Sequence, residues 1–210
     1  MTPQKNPSSI SLNMRNSNFD NSKTCFTTLS RCMVSHNDYK LTALNLKFCF
    51  LKFNHIKILA DALRINKTLV KLDLSNNGLT PRVANYMIEA LENNIYLSEI
   101  NFHGNALNDE FAAAVAMLLE HNQVLFKVDI SANPISPVGA RYILDAVSEY
   151  NDTLGDLGDL DDSTFMGVRI REELRQAIKL NNSSQDRKKA QYSNTMAHNR
   201  STNVDLNARG

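Results

Sequence analysis

LVKLDLSNNGL, Leu69 to Leu79, decides how the whole chain is read, because the same pattern returns three more times. LTALNLKFCFL begins at Leu41, LSEINFHGNAL at Leu97 and LFKVDISANPI at Leu125, so the four starts stand at a constant spacing of 28 residues. A fixed period of this size marks a chain built from stacked coils, each too small to hide its apolar side alone. Within every copy two apolar residues stand two apart: Leu44 and Leu46, Leu72 and Leu74, Ile100 and Phe102, Val128 and Ile130. That spacing puts both side chains on one face of a short strand. Three residues beyond each pair comes a residue able to serve neighbouring backbone: Cys49, Asn77, Asn105 and Asn133. An amide side chain both donates and accepts, so stacked asparagines at one register form a structural ladder for buried N–H and C=O groups, with Cys49 as a smaller substitute.

The second half of each unit has helical periodicity. Ile56, Leu59, Ala60 and Leu63 stand at i, i+3, i+4 and i+7, and the sets at Ala84, Ala112 and Ala140 repeat them 28 residues on each time. Thr80 before Pro81 and Ser136 before Pro137 predict helix starts with a capping hydroxyl, and Asn108 precedes the acidic pair Asp109 and Glu110. Asn66, Asn94 and Asn122 fall where the helices end, a place for a left-handed residue. Strands alternating with helices could also be a doubly wound nucleotide-binding fold, but the constant period, the very short strands and the lack of any Gly-rich phosphate loop argue against it.

At the ends the pattern decays. Phe26, Leu29 and Met33 predict the helix of a leading cap, and NDTLGDLGDL imitates a further strand with Leu154 and Leu157 one residue late. A closing helix is expected to turn Val168, Leu174 and Ile178, with Ile170, toward the stack. The domain plan is a disordered tail over 1–22, a repeat domain with caps over 23–182 and a disordered basic tail over 183–210.

An apolar content of 42% supports a packed core, while a formal net charge of +1 gives no broad field for nucleic acid or anionic membrane. No window approaches the run of roughly 20 apolar residues that spans a bilayer, and the N-terminus carries no signal-like apolar stretch. Three cysteines, Cys25, Cys32 and Cys49, suit reduced thiols better than a disulfide framework. A cytoplasmic protein is the expectation.

Leu41 to about Leu160 resembles ribonuclease-inhibitor-like leucine-rich-repeat proteins, most closely in LVKLDLSNNGL and LFKVDISANPI. The resemblance implies an α/β leucine-rich-repeat solenoid, a short curved horseshoe with parallel strands on the concave face and helices on the convex one. The stretch LRQAIKLNNSSQDRKK is similar to the closing helix of tropomodulin-type proteins, which ends in paired asparagines before a basic run. Members of the wider group include inhibitors, actin pointed-end caps, GTPase activators, innate sensors and axonemal subunits, so the resemblance speaks to fold more than function.

In such folds the outward strand positions form the partner surface. Here they are Asn45, Lys47 and Phe48; Lys71, Asp73, Ser75 and Asn76; Glu99, Asn101 and His103; Lys127 and Asp129. A polar central column flanked by lysines suits a protein partner, with no nucleic acid and no membrane expected. The expected function is a non-catalytic protein–protein interaction scaffold, as a cytoskeletal or axonemal subunit in the cytoplasm, cytoskeleton or cilium. Alternatives are actin pointed-end binding and activation of a Ran-like GTPase, where Arg82 in a strand-to-helix loop would be the residue of interest. No catalytic residue, metal ligand set or cofactor is expected: His103 lacks a nucleophile on a recognised turn, and the acidic run Asp152, Asp156, Asp159, Asp161 and Asp162 lacks the spacing of a calcium loop.

Overall fold

A computed structural model describes residues 8–19, 23–34, 39–162 and 164–186. Its strands are β1 (Ser8–Asn13), β2 (Tyr39–Asn45), β3 (Lys71–Asp73), β4 (Glu99–Asn101) and β5 (Lys127–Asp129). They form one five-stranded parallel sheet in chain order, β1-β2-β3-β4-β5. Parallel neighbours cannot be joined by a tight turn, so each connection is a helical crossover. The crossovers are α1 (Lys23–Val34), α2 (Phe53–Ile65), α3 (Pro81–Leu91) and α4 (Asp109–His121), with α5 (Pro137–Glu149) leaving β5 and a final helix, α6, over 168–186.

Register makes the core continuous. Leu44 lies opposite Leu72, Leu72 opposite Ile100, and Ile100 opposite Val128. These four residues, the second inward row Leu46, Leu74, Phe102 and Ile130, and all four helical sets are buried together. No coil could bury both its strand and helix faces without its neighbours, so the period in sequence becomes a single interior in space.

Some expectations are corrected. Residues 8–19 are not a disordered tail: β1 pairs with β2, placing Leu12 opposite Leu44 and Asn13 opposite Asn45. Phe19 is buried and meets Phe26 edge to face with ring centroids 5.1 Å apart, while the Phe26 ring lies 4.9 Å from that of buried His55. The open edge of β2 would otherwise expose a row of unpaired backbone groups, and β1 covers it. Residues 1–7 and 20–22 of the expected tail lie outside the described residues, as do 187–210 at the other end; residues 183–186 continue α6. On α6 the apolar stripe runs through Ile170, Leu174 and Ala177, with Ile178 partly buried, whereas Val168 is 75% exposed. The stripe is the i, i+4, i+7 set from Ile170, and Val168 falls off its face.

The helix-end asparagines are corrected too. Asn66 and Asn122 have extended backbones, φ −71° and −84°, not left-handed ones. Their value lies in the side chains. Asn94 Oδ1 accepts from the N–H groups of Tyr96 and Leu97, both at 2.9 Å, while its Nδ2 donates back to the carbonyls of Leu63 at 2.8 Å and Asn66 at 3.2 Å. Asn122 and Asn151 repeat this toward the preceding coil, and Asn66 Nδ2 donates to the Met33 carbonyl. Asn181 on α6 closes the series by donating to the carbonyls of Asn151 at 2.8 Å and Leu154 at 3.1 Å, and Asn182 donates to Gly155 O at 3.0 Å.

The strand-side ladder is complementary. Asn77 Oδ1 accepts from Cys49 N–H at 2.9 Å, Asn105 Oδ1 from Asn77 N–H at 3.0 Å, and Asn133 Oδ1 from Asn105 N–H at 3.1 Å. Cys49 ends it, its thiol donating to the Met14 carbonyl at 3.0 Å; burial pushes that thiol's pKa up. Ser136 and Asn108 do cap their helices by side-chain hydrogen bonds, but Thr80 makes none.

The decayed last coil keeps contact by thinning its side chains. Leu154 and Leu157 are buried and Lys127 bridges to Asp156 in parallel fashion. Gly158 has φ +85°, and a Cβ there would stand 1.9 Å from Asp129 Oδ1, so only glycine lets the coil approach.

Candidate partner-binding site

The outward side chains of the sheet fall into rows set by strand register. One row runs Ser11, Ala43, Lys71, Glu99, Lys127, and the bridge adds Asp156. Its charges alternate and pair: Lys71 Nζ lies 2.7 Å from Glu99 Oε1, and Lys127 Nζ lies 2.6 Å from Asp156 Oδ2. A shallow cleft of about 280 Å³ lies over this row and the next.

The second row is Asn13, Asn45, Asp73, Asn101 and Asp129. Each member accepts a hydrogen bond from the N–H two residues on: Arg15 at 3.1 Å, Lys47 at 2.9 Å, Ser75 at 2.9 Å, His103 at 2.8 Å and Ser131 at 3.1 Å. These are Asx turns, which end each strand and start the bend toward the helix. The column therefore holds the fold as well as facing outward.

Beyond it the alternation stops. Ser75, expected on the surface, is fully buried, because the strand ends at Asp73 and the turn that follows, with Asn76 at φ 55°, carries its small side chain inward. Ser131 is also fully buried, and its Oγ donates to Asp129 Oδ1 at 2.6 Å. A hydroxyl has one proton, so His103 Nδ1, 2.9 Å from the same Oγ, must be the donor to it. His103, Ser131 and Asp129 are thus brought together in the wrong order for nucleophilic chemistry: the carboxylate holds the serine instead of the histidine, and the serine is inaccessible. Among the described residues no three metal-ligating side chains converge, and no helix is long and apolar enough to cross a membrane. Arg82 is exposed at the second position of α3.

Lys71, Asp73, Glu99, Asn101, Lys127 and Asn45 all line the cleft. Phe48 stands apart at the loop rim, with the Arg15 guanidinium 5.5 Å and the Lys47 ammonium 5.3 Å from its ring centroid. Arg15, Phe50 and Phe53 have no place in the sequence reading of the site, although Phe50 occupying the register of Gly78 is a visible signal.

Residues 66–82, from the Asn66 turn through β3 to the start of α3, match the family model described as Leucine Rich repeat. The fold is a leucine-rich-repeat solenoid. Comparison with the curated proteins gives no significant match. Among solved structures, this leucine-rich-repeat chain is similar to a tropomodulin C-terminal domain from Caenorhabditis elegans, with a TM-score of 0.57 and 19% identity, covering 67% of this chain and 83% of that one. It is also similar to leiomodin-1 actin-binding site 2, with a TM-score of 0.57 and 18% identity, covering 69% and 82%. In this leucine-rich-repeat fold Asn181 and Asn182 of the closing helix reach back onto the last coil.

The Lys127–Asp156 pair lends itself to a pH test. The hydrogen bond that Lys127 donates to Asp156, with the charge of that carboxylate, raises the Lys127 pKa above the ordinary lysine value. A raised folded-state pKa means the pair stabilises fully below the unfolded lysine value and ceases to as pH rises through the folded one. In melts between about pH 9 and 12, the parent should lose stability more steeply than Asp156→Asn, which keeps the turn acceptor and removes the charge. Parallel curves would show that the pair contributes nothing.

Proposed function

We propose that the protein is a non-catalytic protein–protein interaction scaffold whose concave face holds a partner, with actin as the first candidate. The observation that carries this is the row Lys71, Glu99, Lys127 and Asp156, two neutralised ion pairs over a shallow cleft. Such a surface offers alternating charge to a broad complementary partner and no enclosed volume to a small ligand. Likeness to leiomodin-1 actin-binding site 2 supports actin as the partner, and with it a cytoplasmic place in the cytoskeleton or a cilium.

The test is pointed-end elongation and filament co-sedimentation with purified actin. The expected result is slowed elongation that Lys71→Glu weakens, since the reversal sets like charges on Glu99 and on the partner. Absence of any effect on either assay removes actin as the partner. Lys71→Ala should change stability by no more than about 0.5 kcal/mol, because its side chain is 58% exposed and its pair with Glu99 lies at the surface. A larger fall in a urea melt would mean that Lys71 holds the fold.

A further inference from the structure

The strand-to-helix loop after β2 holds two non-glycine residues at positive φ, both aromatic, where the loops after β3 and β5 hold one each, Asn76 and Ala132. Phe48 and Phe50 both have positive φ, 56° and 51°. The counterparts of Phe48 are Asn76, Gly104 and Ala132, and the counterpart of Phe50 in the next coil is Gly78 at φ 66°. Glycine and asparagine take this conformation at little cost, and a bulky aromatic does not. Burial does not offset the strain: Phe50 is 70% exposed, and Phe53, which meets Tyr86 edge to face at 5.3 Å, is 40% exposed.

Charge follows the same geography. Residues 46–60 and 74–88 contain Lys47, Lys52, Lys57 and Arg82 and no acidic residue, and Arg15 is added from the loop after β1. Of the matching segments further along, 102–116 carries Asp109 and Glu110, 130–144 carries no acidic residue, and the last coil carries Asp159 and Asp161. One end of the rim is basic and aromatic, the other acidic. Two strained aromatics on one loop, Phe48 with two cations against its ring and Phe50 left in water, are accounted for by what they meet in a complex.

We infer that the rim formed by Arg15, Lys47, Phe48, Phe50, Lys52 and Phe53 is a docking site for an acidic protein segment bearing an apolar side chain. The carboxylates meet Arg15, Lys47 and Lys52, and the apolar side chain seats on Phe50 beside the Phe53–Tyr86 pair. Two of the cations already lie against the Phe48 ring, which shapes a discrete anchor instead of a broad field for a polyanion or a lipid surface. This site shares Lys47 and Phe48 with the partner surface expected from the sequence but none of its residues line the cleft, so it does not depend on what the cleft binds.

The test uses the full chain and fluorescence anisotropy of a labelled glutamate-rich peptide with one central leucine. A lysine-rich counterpart, phosphatidylserine vesicles and a single-stranded oligonucleotide serve as comparisons. The glutamate peptide should bind in preference to all three. Phe50→Gly should weaken it at least about tenfold while leaving the melting temperature equal to or above the parent's, because glycine relieves the left-handed strain. Arg15→Glu should weaken binding as well. The proposal is overturned if the glutamate peptide does not bind, if vesicles or oligonucleotide are preferred, or if either variant leaves binding unchanged. A lower melting temperature for Phe50→Gly also overturns it, since Phe50 would then serve the fold.

Discussion

Asn105→Ala is expected to cost about 3 kcal/mol or more of stability, measured as a shift in the urea midpoint at unchanged slope. Asn105 Oδ1 accepts from the N–H groups of Asn77 and Leu79, each at 3.0 Å, and its Nδ2 donates to the carbonyls of Phe102 at 2.8 Å and Leu74 at 3.2 Å. Alanine leaves the Asn77 and Leu79 N–H groups without an acceptor in a buried seam, each costing about 1–3 kcal/mol before any relaxation, while the Leu74 and Phe102 carbonyls keep the amides of Asn77 and Asn133. Relaxation is limited because the groups belong to two coils already fixed by the sheet register. A loss below about 1 kcal/mol would mean that water replaces the amide and that the ladder is not needed for the stack.

Leu74→Ala should cost about 2–5 kcal/mol. The side chain is fully buried, between Leu46 and Phe102 in the inner row, and a truncated residue leaves a void that two helical layers cannot both close. A domain of this kind has only about 5–15 kcal/mol in reserve, so either variant should melt well below the parent. Equal melting of Leu74→Ala and Lys71→Ala would reverse the facing of β3. The two large predictions share a contact, because Asn105 Nδ2 donates to the Leu74 carbonyl, so their effects are not expected to add.

The interior was legible because the repeat states it several times over. Leu72 alone says little, but Leu44, Leu72, Ile100 and Val128 at one spacing leave one arrangement in which all are inside. What escaped has local physical causes. Asparagine favours both left-handed residues and Asx turns, so Asn66, Asn94 and Asn122 could be placed at the helix ends without their hydrogen bonds being readable. β1 hid behind the Ser- and Asn-rich composition around Ile10 and Leu12, which resembles a tail until a sheet edge is there to receive it. Ser75 was misplaced because alternation holds only while the strand lasts, and this strand is three residues long.

At the candidate site the outward residues could be named, but not the division of labour among them. Asp73 and Asn101 look alike whether they meet a partner or hold a turn, and the structure shows them holding turns while still lining the cleft. The ion pairs Lys71–Glu99 and Lys127–Asp156 required knowing which strands are neighbours.

The chain-order sheet has a consequence for how such a protein can change over time. Every coil leans only on the ones immediately before and after it, and both asparagine seams repeat with the same step. A duplicated stretch of 28 residues inserted in phase would find its hydrogen-bonding partners waiting, and the two closing pieces, β1 with Phe19 at one end and α6 with Asn181 at the other, would simply move apart. Span, and with it the reach of the curved face, can therefore be lengthened or shortened by whole steps while the interior stays the same.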